Sequence, residues 1–305
     1  MSLLVSAGPG ARPARIRGRP GATRATKGNP ALISGEGSAG LDDWRTTFRP
    51  DIPSPARIYD YLLGGKDNYP ADRLAGEEIA GHLPNIRQAF GWNRVFLRRA
   101  VRFLVTEAGI RQFVDIGTGL PAAGNVHEVA TRASPATRIV YVDNDPVVLA
   151  HGRDMLHSVP NTVIIGHDLR APAALLADPE LRRLVDLAEP VAILLVAVLH
   201  FISDADDPAA IITELLAPFP SGSYLALSHA TADGTPAIND AAKVYDDATA
   251  QAYVRRHDDV LALVHGLDLV EPGMVWTPQW HPEPDAEMPP RPEEFHYYAL
   301  VARKP

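Results

Sequence analysis

Gln112 to Ile116 reads as a short buried strand, and Gly117-Thr118-Gly119 follows it directly as a tight turn. A buried strand that empties into a glycine turn lets a ligand approach the backbone closely, because no Cβ stands in the way. Pro121 suits a first helical turn, so a helix is predicted to start near it. Asp115 lies two residues before Gly117. A dinucleotide fold seats an anionic pyrophosphate at this turn, and a carboxylate there would repel it. S-adenosyl-L-methionine instead brings an ammonium and a sulfonium, which a carboxylate attracts. The turn therefore favours that cofactor over NAD, with Asp115, Gly117, Thr118 and Gly119 as its first binding residues.

The segments that follow keep the order this reading requires. Arg138 to Val142 predicts a second strand, with Asp143 and Asn144 at its tip, where an acid accepts from both ribose hydroxyls. Thr162 to Gly166 predicts a third strand, followed by Asp168, placed to accept from an adenine amino group, and Leu169. Both acids could instead serve only as helix caps, which Asp does well. Val191 to Leu199, with Val196 near its end, is a nearly unbroken apolar run, as a central parallel strand covered on both faces would be. Ser223 to His229 gives a fifth strand, and Asp268–Val275 with Glu294–Ala302 an antiparallel pair. Six prolines between residues 277 and 294 make their connection a loop. Strand and helix alternate from Phe113 onward, which predicts an α/β fold: a Rossmann-like, seven-stranded, mostly parallel sheet with helices on both faces. Ala122 stands where a dinucleotide fingerprint needs its third glycine, which weighs further against an NAD-dependent oxidoreductase.

Other function classes are narrowed by what the chain lacks. Without cysteine it has no disulfide, thiolate zinc site or cysteine nucleophile. No apolar run approaches the length of a membrane span, and a soluble, cytoplasmic protein with no membrane partner is expected. Residues 1–40 hold Arg12, Arg15, Arg17, Arg19, Arg24 and Lys27 against Glu36 alone, so the rest is more acidic than the net charge of −8. Nucleic acid is a poor partner for so acidic a body. The strand before His200 also lacks the Asn/Asp-Pro-Pro-aromatic run of enzymes that methylate amino groups of DNA bases. His127-Glu128 and His281-Pro282-Glu283 lack further ligands at metal-binding spacing, so no catalytic metal is expected. The Gly-, Ala-, Pro- and Arg-rich residues 1–46 read as a disordered basic tail.

Candidates for chemistry fall in two places. His200 follows the fourth strand, at the edge where open α/β sheets bind ligands, and an imidazole suits deprotonation of a hydroxyl. Ser54-Pro55 opens a helix over Ala56–Leu63, and Gly64-Gly65 closes it. Tyr59, Tyr61 and Lys66 beside that glycine pair suit a lid over the ligands, or the tyrosines only pack on the sheet. Further helices are expected over Arg73–Ala80 and Asn93–Ala108, where Asn93 serves as N-cap or as a partner of the cofactor. Asn239–Tyr253 predicts a helix over the site.

Five strand-helix units and a final antiparallel pair are the layout of the class I methyltransferase fold. Residues 53–69, with Tyr59-Asp60-Tyr61-Leu62-Leu63-Gly64-Gly65-Lys66-Asp67-Asn68 at their centre, resemble the signature of an actinobacterial S-adenosylmethionine-dependent methyltransferase family that began as a domain of unknown function. Asn93-Arg94, Asp115 to Pro121, Gly124 to Glu128, Tyr141 to Val147, Leu195 to Phe201 and Leu227 to Ala230 match it too. The resemblance runs over about residues 50–303. It implies a methyltransferase domain over 47–305, with an N-terminal helical lid (47–110) and a cofactor-binding core (111–305). Val198-Leu199-His200, with Asp204 beyond, further resembles small-molecule O-methyltransferases in which the histidine is the base. A small-molecule acceptor is the implied substrate, with His200 and Tyr61 as the catalytic candidates. A protein that only binds the cofactor, as a sensor or scaffold, would carry the same motifs.

Overall fold

The computed structural model describes residues 48–305, and the tail expected over 1–46 lies outside them. Among the described residues three helices come first: α1 (Pro55–Leu62), α2 (Pro70–His82) and α3 (Ile86–Thr106). Then follow β1 (Gln112–Ile116), α4 (Val126–Ala133), β2 (Arg138–Asp143), α5 (Pro146–Leu156), β3 (Thr162–Gly166), α6 (Pro172–Leu176) and α7 (Pro179–Leu184). The chain continues through β4 (Ala192–Val196), α8 (Pro208–Leu216), β5 (Tyr224–Ala230), α9 (Ile238–Lys243) and α10 (His257–Leu263). Two short strands, β6 (Asp268–Leu269) and β7 (Val275–Trp276), precede β8 (Tyr297–Arg303).

The sheet order is β3-β2-β1-β4-β5-β8-β6, with β7 also on β8. The first five strands pair in parallel, and β8 runs antiparallel to β5. Alternate side chains of each strand feed opposite cores. Val114, Ile116, Ile193 and Leu195 face a cluster built with residues of α6, α7, α8 and α10. Phe113, Ile139, Leu194 and Val301 face α3, α4 and α5. Both faces are covered, so polar ligands meet the sheet only at its carboxyl edge.

Three local expectations are corrected. The sixth strand is split, because Pro272 has no N–H to give and Gly273, at φ +83°, turns back to Val270 (2.8 Å). The pieces β6 and β7 pair with successive parts of β8. The helix expected near Pro121 begins only at Val126. Before it, Asn125 accepts from Ala122 N–H (3.2 Å) and Glu128 accepts from Gly124 N–H (3.1 Å), which holds 121–125 as a turn. The helix expected over Asn239–Tyr253 is confined to α9 and a short 3-10 turn, Val244–Asp247.

The N-terminal helices are fastened to the sheet. Arg57 and Asp72 form a fully buried ion pair (3.2 Å), and Asp72 also accepts from Ser54 and Tyr69 backbone N–H groups. Ser54 in turn donates to Asp145, the N-cap of α5 (2.5 Å). A third apolar cluster joins α1, α2 and α3 to Ala230, Ile238, Tyr245 and Tyr297, above the carboxyl end of β5.

Candidate cofactor and acceptor site

Gly117 and Gly119 both adopt positive φ (+70° and +69°), which a side chain would strain. A Cβ on Gly117 would stand 2.4 Å from Val198 Cγ2, so the turn admits no side chain there without moving β4's exit loop. Asp143 accepts from Gly119 N–H (2.9 Å) with one oxygen and from Asp145 N–H (2.9 Å) with the other. It thus ties the tip of β2 to the glycine turn while facing the cleft. Asp115 accepts from the Thr118 hydroxyl (3.2 Å). Burial pushes both carboxyl groups up to about 6, against an ordinary 3.8.

These groups line one cleft of about 880 Å³. Tyr59, Asn93, Asn144, Asp168, Leu169, Val196 and His200 line it as well, so most of the expected site is brought together. Seven aspartates border it (Asp60, Asp115, Asp143, Asp145, Asp168, Asp206, Asp246), against Arg94 and Arg170. That imbalance favours a cationic ligand.

Several expected roles change. Tyr61 turns away from the cleft: its hydroxyl donates to Glu77 and its ring lies under Arg87 (5.0 Å), so it holds no catalytic position. Tyr59 and Tyr61 are two residues apart, about 200° around a helix, and cannot share a face. Lys66 is exposed and lies outside the cleft, so the cofactor role expected of it is not supported. Asn93 is not a cap but lies inside α3, buried, donating to Tyr59 Oη (3.0 Å) and accepting from Ser228 Oγ (2.5 Å). Asp168 is half-buried and chelated by Arg170 (2.5 Å), so adenine would share it with that guanidinium. Asp60 accepts from Asp67 N–H (3.0 Å) and Asn68 Nδ2 (2.8 Å), which closes the turn after the glycine pair.

Arg94 was missed by the sequence reasoning. Its Nε is buried without a hydrogen-bond partner among the described residues, it borders the cleft, and its charge reaches Asp115. A terminal nitrogen donates to Gly124 O and Asn125 Oδ1 (3.4 Å each), and a guanidinium with its Nε free beside a carboxylate suits a ligand carrying both an ammonium and a carboxylate. Its place in Asn93-Arg94, one residue from a named candidate, was the available signal.

His200 sits in the 3-10 turn after β4, buried, with Nδ1 lacking a partner among the described residues. Burial, with His229 and Arg255 beside it, pushes its basicity well below the usual 6.5, so the ring stays neutral. Behind it, His229 donates from Nδ1 to Ala230 O (2.7 Å) and accepts at Nε2 from Arg255 (2.9 Å). The Arg255 guanidinium also donates to Ile202 O (2.8 Å) and Asp204 (2.6 Å), which fixes the loop that carries His200. Arg255→Met strands those acceptors, at a cost of about 2–4 kcal/mol. Thermal unfolding is expected to drop by roughly 5–12 °C; an unchanged midpoint would contradict this role.

A parallel sheet ending in a glycine turn, an acid on each of β1 and β2, and an acidic cleft together define a site for S-adenosylmethionine. The unpartnered Arg94 Nε and the cramped Gly117 fit that cofactor. The chain belongs to the S-adenosyl methyltransferase family, whose model it matches over residues 44–305. It is thus an S-adenosylmethionine-dependent methyltransferase with the class I fold. A crystal structure of a DUF574 family protein from Streptomyces avermitilis is 44% identical, covering 84% of this chain and all of that one, with a TM-score of 0.81. A second, from Thermobifida fusca and described as a candidate methyltransferase, is 39% identical (83% and 96% covered, TM-score 0.79). No curated protein matches the chain. Among the described residues no helix is long and apolar enough to cross a membrane, and no cluster of His, Asp and Glu could hold a metal ion.

Proposed function

We propose that this protein is a cytoplasmic enzyme that methylates a small molecule on a hydroxyl or N–H group hydrogen-bonded to His200. The observation that carries this reading is His200 itself, a buried imidazole in the lining of the cofactor's own cleft whose Nδ1 has no partner among the described residues. S-adenosylmethionine supplies a methyl group on sulfonium: as the acceptor's heteroatom bonds that carbon, the carbon–sulfur bond breaks with its electron pair on sulfur. Asp115 takes the methionyl ammonium, Arg94 the carboxylate, Asp143 the ribose and Leu169 the adenine face. Tyr59, held by Asn93, walls the site.

His200 acts here as a weak base. Forming the new bond makes the acceptor's O–H or N–H far more acidic, so an imidazole of low basicity still receives its proton. Seven carboxylates around the cleft disfavour nucleic acid, whose phosphates they repel. Formation of S-adenosylhomocysteine with a mixed metabolite extract tests the proposal. His200→Ala is expected to lower turnover about 100-fold or more, with cofactor affinity within threefold of wild type, and His200→Gln to recover part of it. Because the ring stays neutral, turnover should show no histidine limb near pH 6.5. Full turnover by His200→Ala removes the residue from the mechanism, and no product with any extract favours a sensor.

A further inference from the structure

The cleft has two halves of different chemistry. Asp115, Asp143, Asp145 and Asp168 gather around the ends of β1, β2 and β3, where the cofactor reading places them. The wall around His200 is instead aromatic. Tyr59 stacks on Phe90 (4.2 Å between ring centroids, 13° between planes), and Phe90 meets Tyr297 edge-on at 6.0 Å. His200 lies 5.8 Å from Tyr297 and 4.4 Å from Phe201, and Phe201 lies 5.3 Å from Tyr245. All of these side chains border the cleft.

Arg94, whose charge reaches Tyr59, is taken by the methionyl carboxylate in the cofactor reading, and among the described residues no other free cation stands on that wall. Arg255, behind it, is consumed by His229, Asp204 and backbone carbonyls, and His200 is neutral. An anionic acceptor would find no partner there and would meet the aspartates on the way in. A small apolar cavity of about 30 Å³ lies beside the same wall, sharing Phe90, His200, Tyr245 and Tyr297 with the cleft and lined also by Ile79, Leu83 and Val254. It has room for about one methyl-sized substituent.

We propose that the acceptor is a flat, uncharged aromatic or heteroaromatic compound, gripped by these rings and presenting a ring hydroxyl or ring N–H to His200. Offset and edge-to-face contacts reward a planar π-surface over a saturated ring of equal size. The inference rests on the methyltransferase reading, and the experiment separates the two.

Full-length protein is first titrated calorimetrically with S-adenosylhomocysteine; absence of binding there overturns the methyltransferase reading itself. The saturated complex is then titrated with 2-naphthol, naphthalene-2-carboxylate and decahydro-2-naphthol. The expected result is that 2-naphthol binds at least about tenfold more tightly than either comparator. Phe90→Leu should weaken 2-naphthol about tenfold and leave S-adenosylhomocysteine within threefold; Phe201→Leu serves the same purpose if the first variant misfolds. A comparator that matches 2-naphthol, or no millimolar binding of any probe to the saturated complex, overturns the proposed acceptor class.

Discussion

Asp115→Asn is expected to melt above the wild type without ligand, yet to bind S-adenosylmethionine roughly 100-fold more weakly. The buried carboxyl of Asp115 holds its proton up to about pH 6 in the folded protein, against an ordinary value of 3.8. Between those values the native state binds the extra proton, so stability falls as pH rises through that window. Above it the ionised group opposes folding by on the order of 3 kcal/mol. An asparagine carries no such cost, and its amide oxygen still accepts from Thr118. The variant's midpoint should therefore rise by roughly 6–12 °C at pH 7.5, and the gain should vanish below about pH 4. Affinity moves the other way, because a charge-assisted hydrogen bond to an ammonium is worth about 1.5–3 kcal/mol. In the wild type, affinity should fall as pH drops below about 6, where Asp115 and Asp143 take up protons. Differential scanning calorimetry and a pH series of binding titrations check both halves; a variant that is less stable but binds normally would contradict them.

Asp143→Ala should lose more. Two charge-assisted hydrogen bonds to ribose hydroxyls disappear, worth about 3–6 kcal/mol together, or a factor of about 100 to 10,000 in affinity. The carboxylate also accepts from Gly119 and Asp145, so its removal loosens the glycine turn that must meet the methionyl group. Two backbone N–H groups are left unpaired, at a cost of about 1–3 kcal/mol each. Removing a buried carboxylate whose own burial is unfavourable offsets much of that. A midpoint within several degrees of wild type, beside a titration showing no binding at submillimolar cofactor, is the expected pair of results. Retained affinity would leave Asp143 as a turn-forming residue only.

The parts legible in the sequence were those encoded in adjacent residues. Gln112–Ile116 and Thr162–Gly166 are strands with the predicted ends, because a buried parallel strand is mostly apolar and the glycine at or just after its end marks where it stops. Asp115 and Asp143 sit at strand tips, so the sheet itself delivers them to the cleft. Side-chain direction on helices was less legible. Tyr61 looked equivalent to Tyr59 until the helix turned it outward. Asn93 looked like a helix start, although Asn85 stands at the true one, where its side chain makes no capping bond and reaches Glu294 instead. The acceptor wall was not legible at all. It joins Tyr59, Phe90, Phe201, Tyr245 and Tyr297 from five separate segments, and no local pattern marks rings that meet only after folding.

The central claim is that this cleft holds S-adenosylmethionine by its methionyl end as well as its nucleoside. Calorimetric titration at pH 7.5 with the cofactor and with 5′-methylthioadenosine, which keeps ribose and adenine but lacks the amino acid end, tests it most directly. One site is expected, at least about tenfold tighter for S-adenosylmethionine, with most of that gap lost in Asp115→Asn. Equal affinities, or no heat with either ligand, would contradict it.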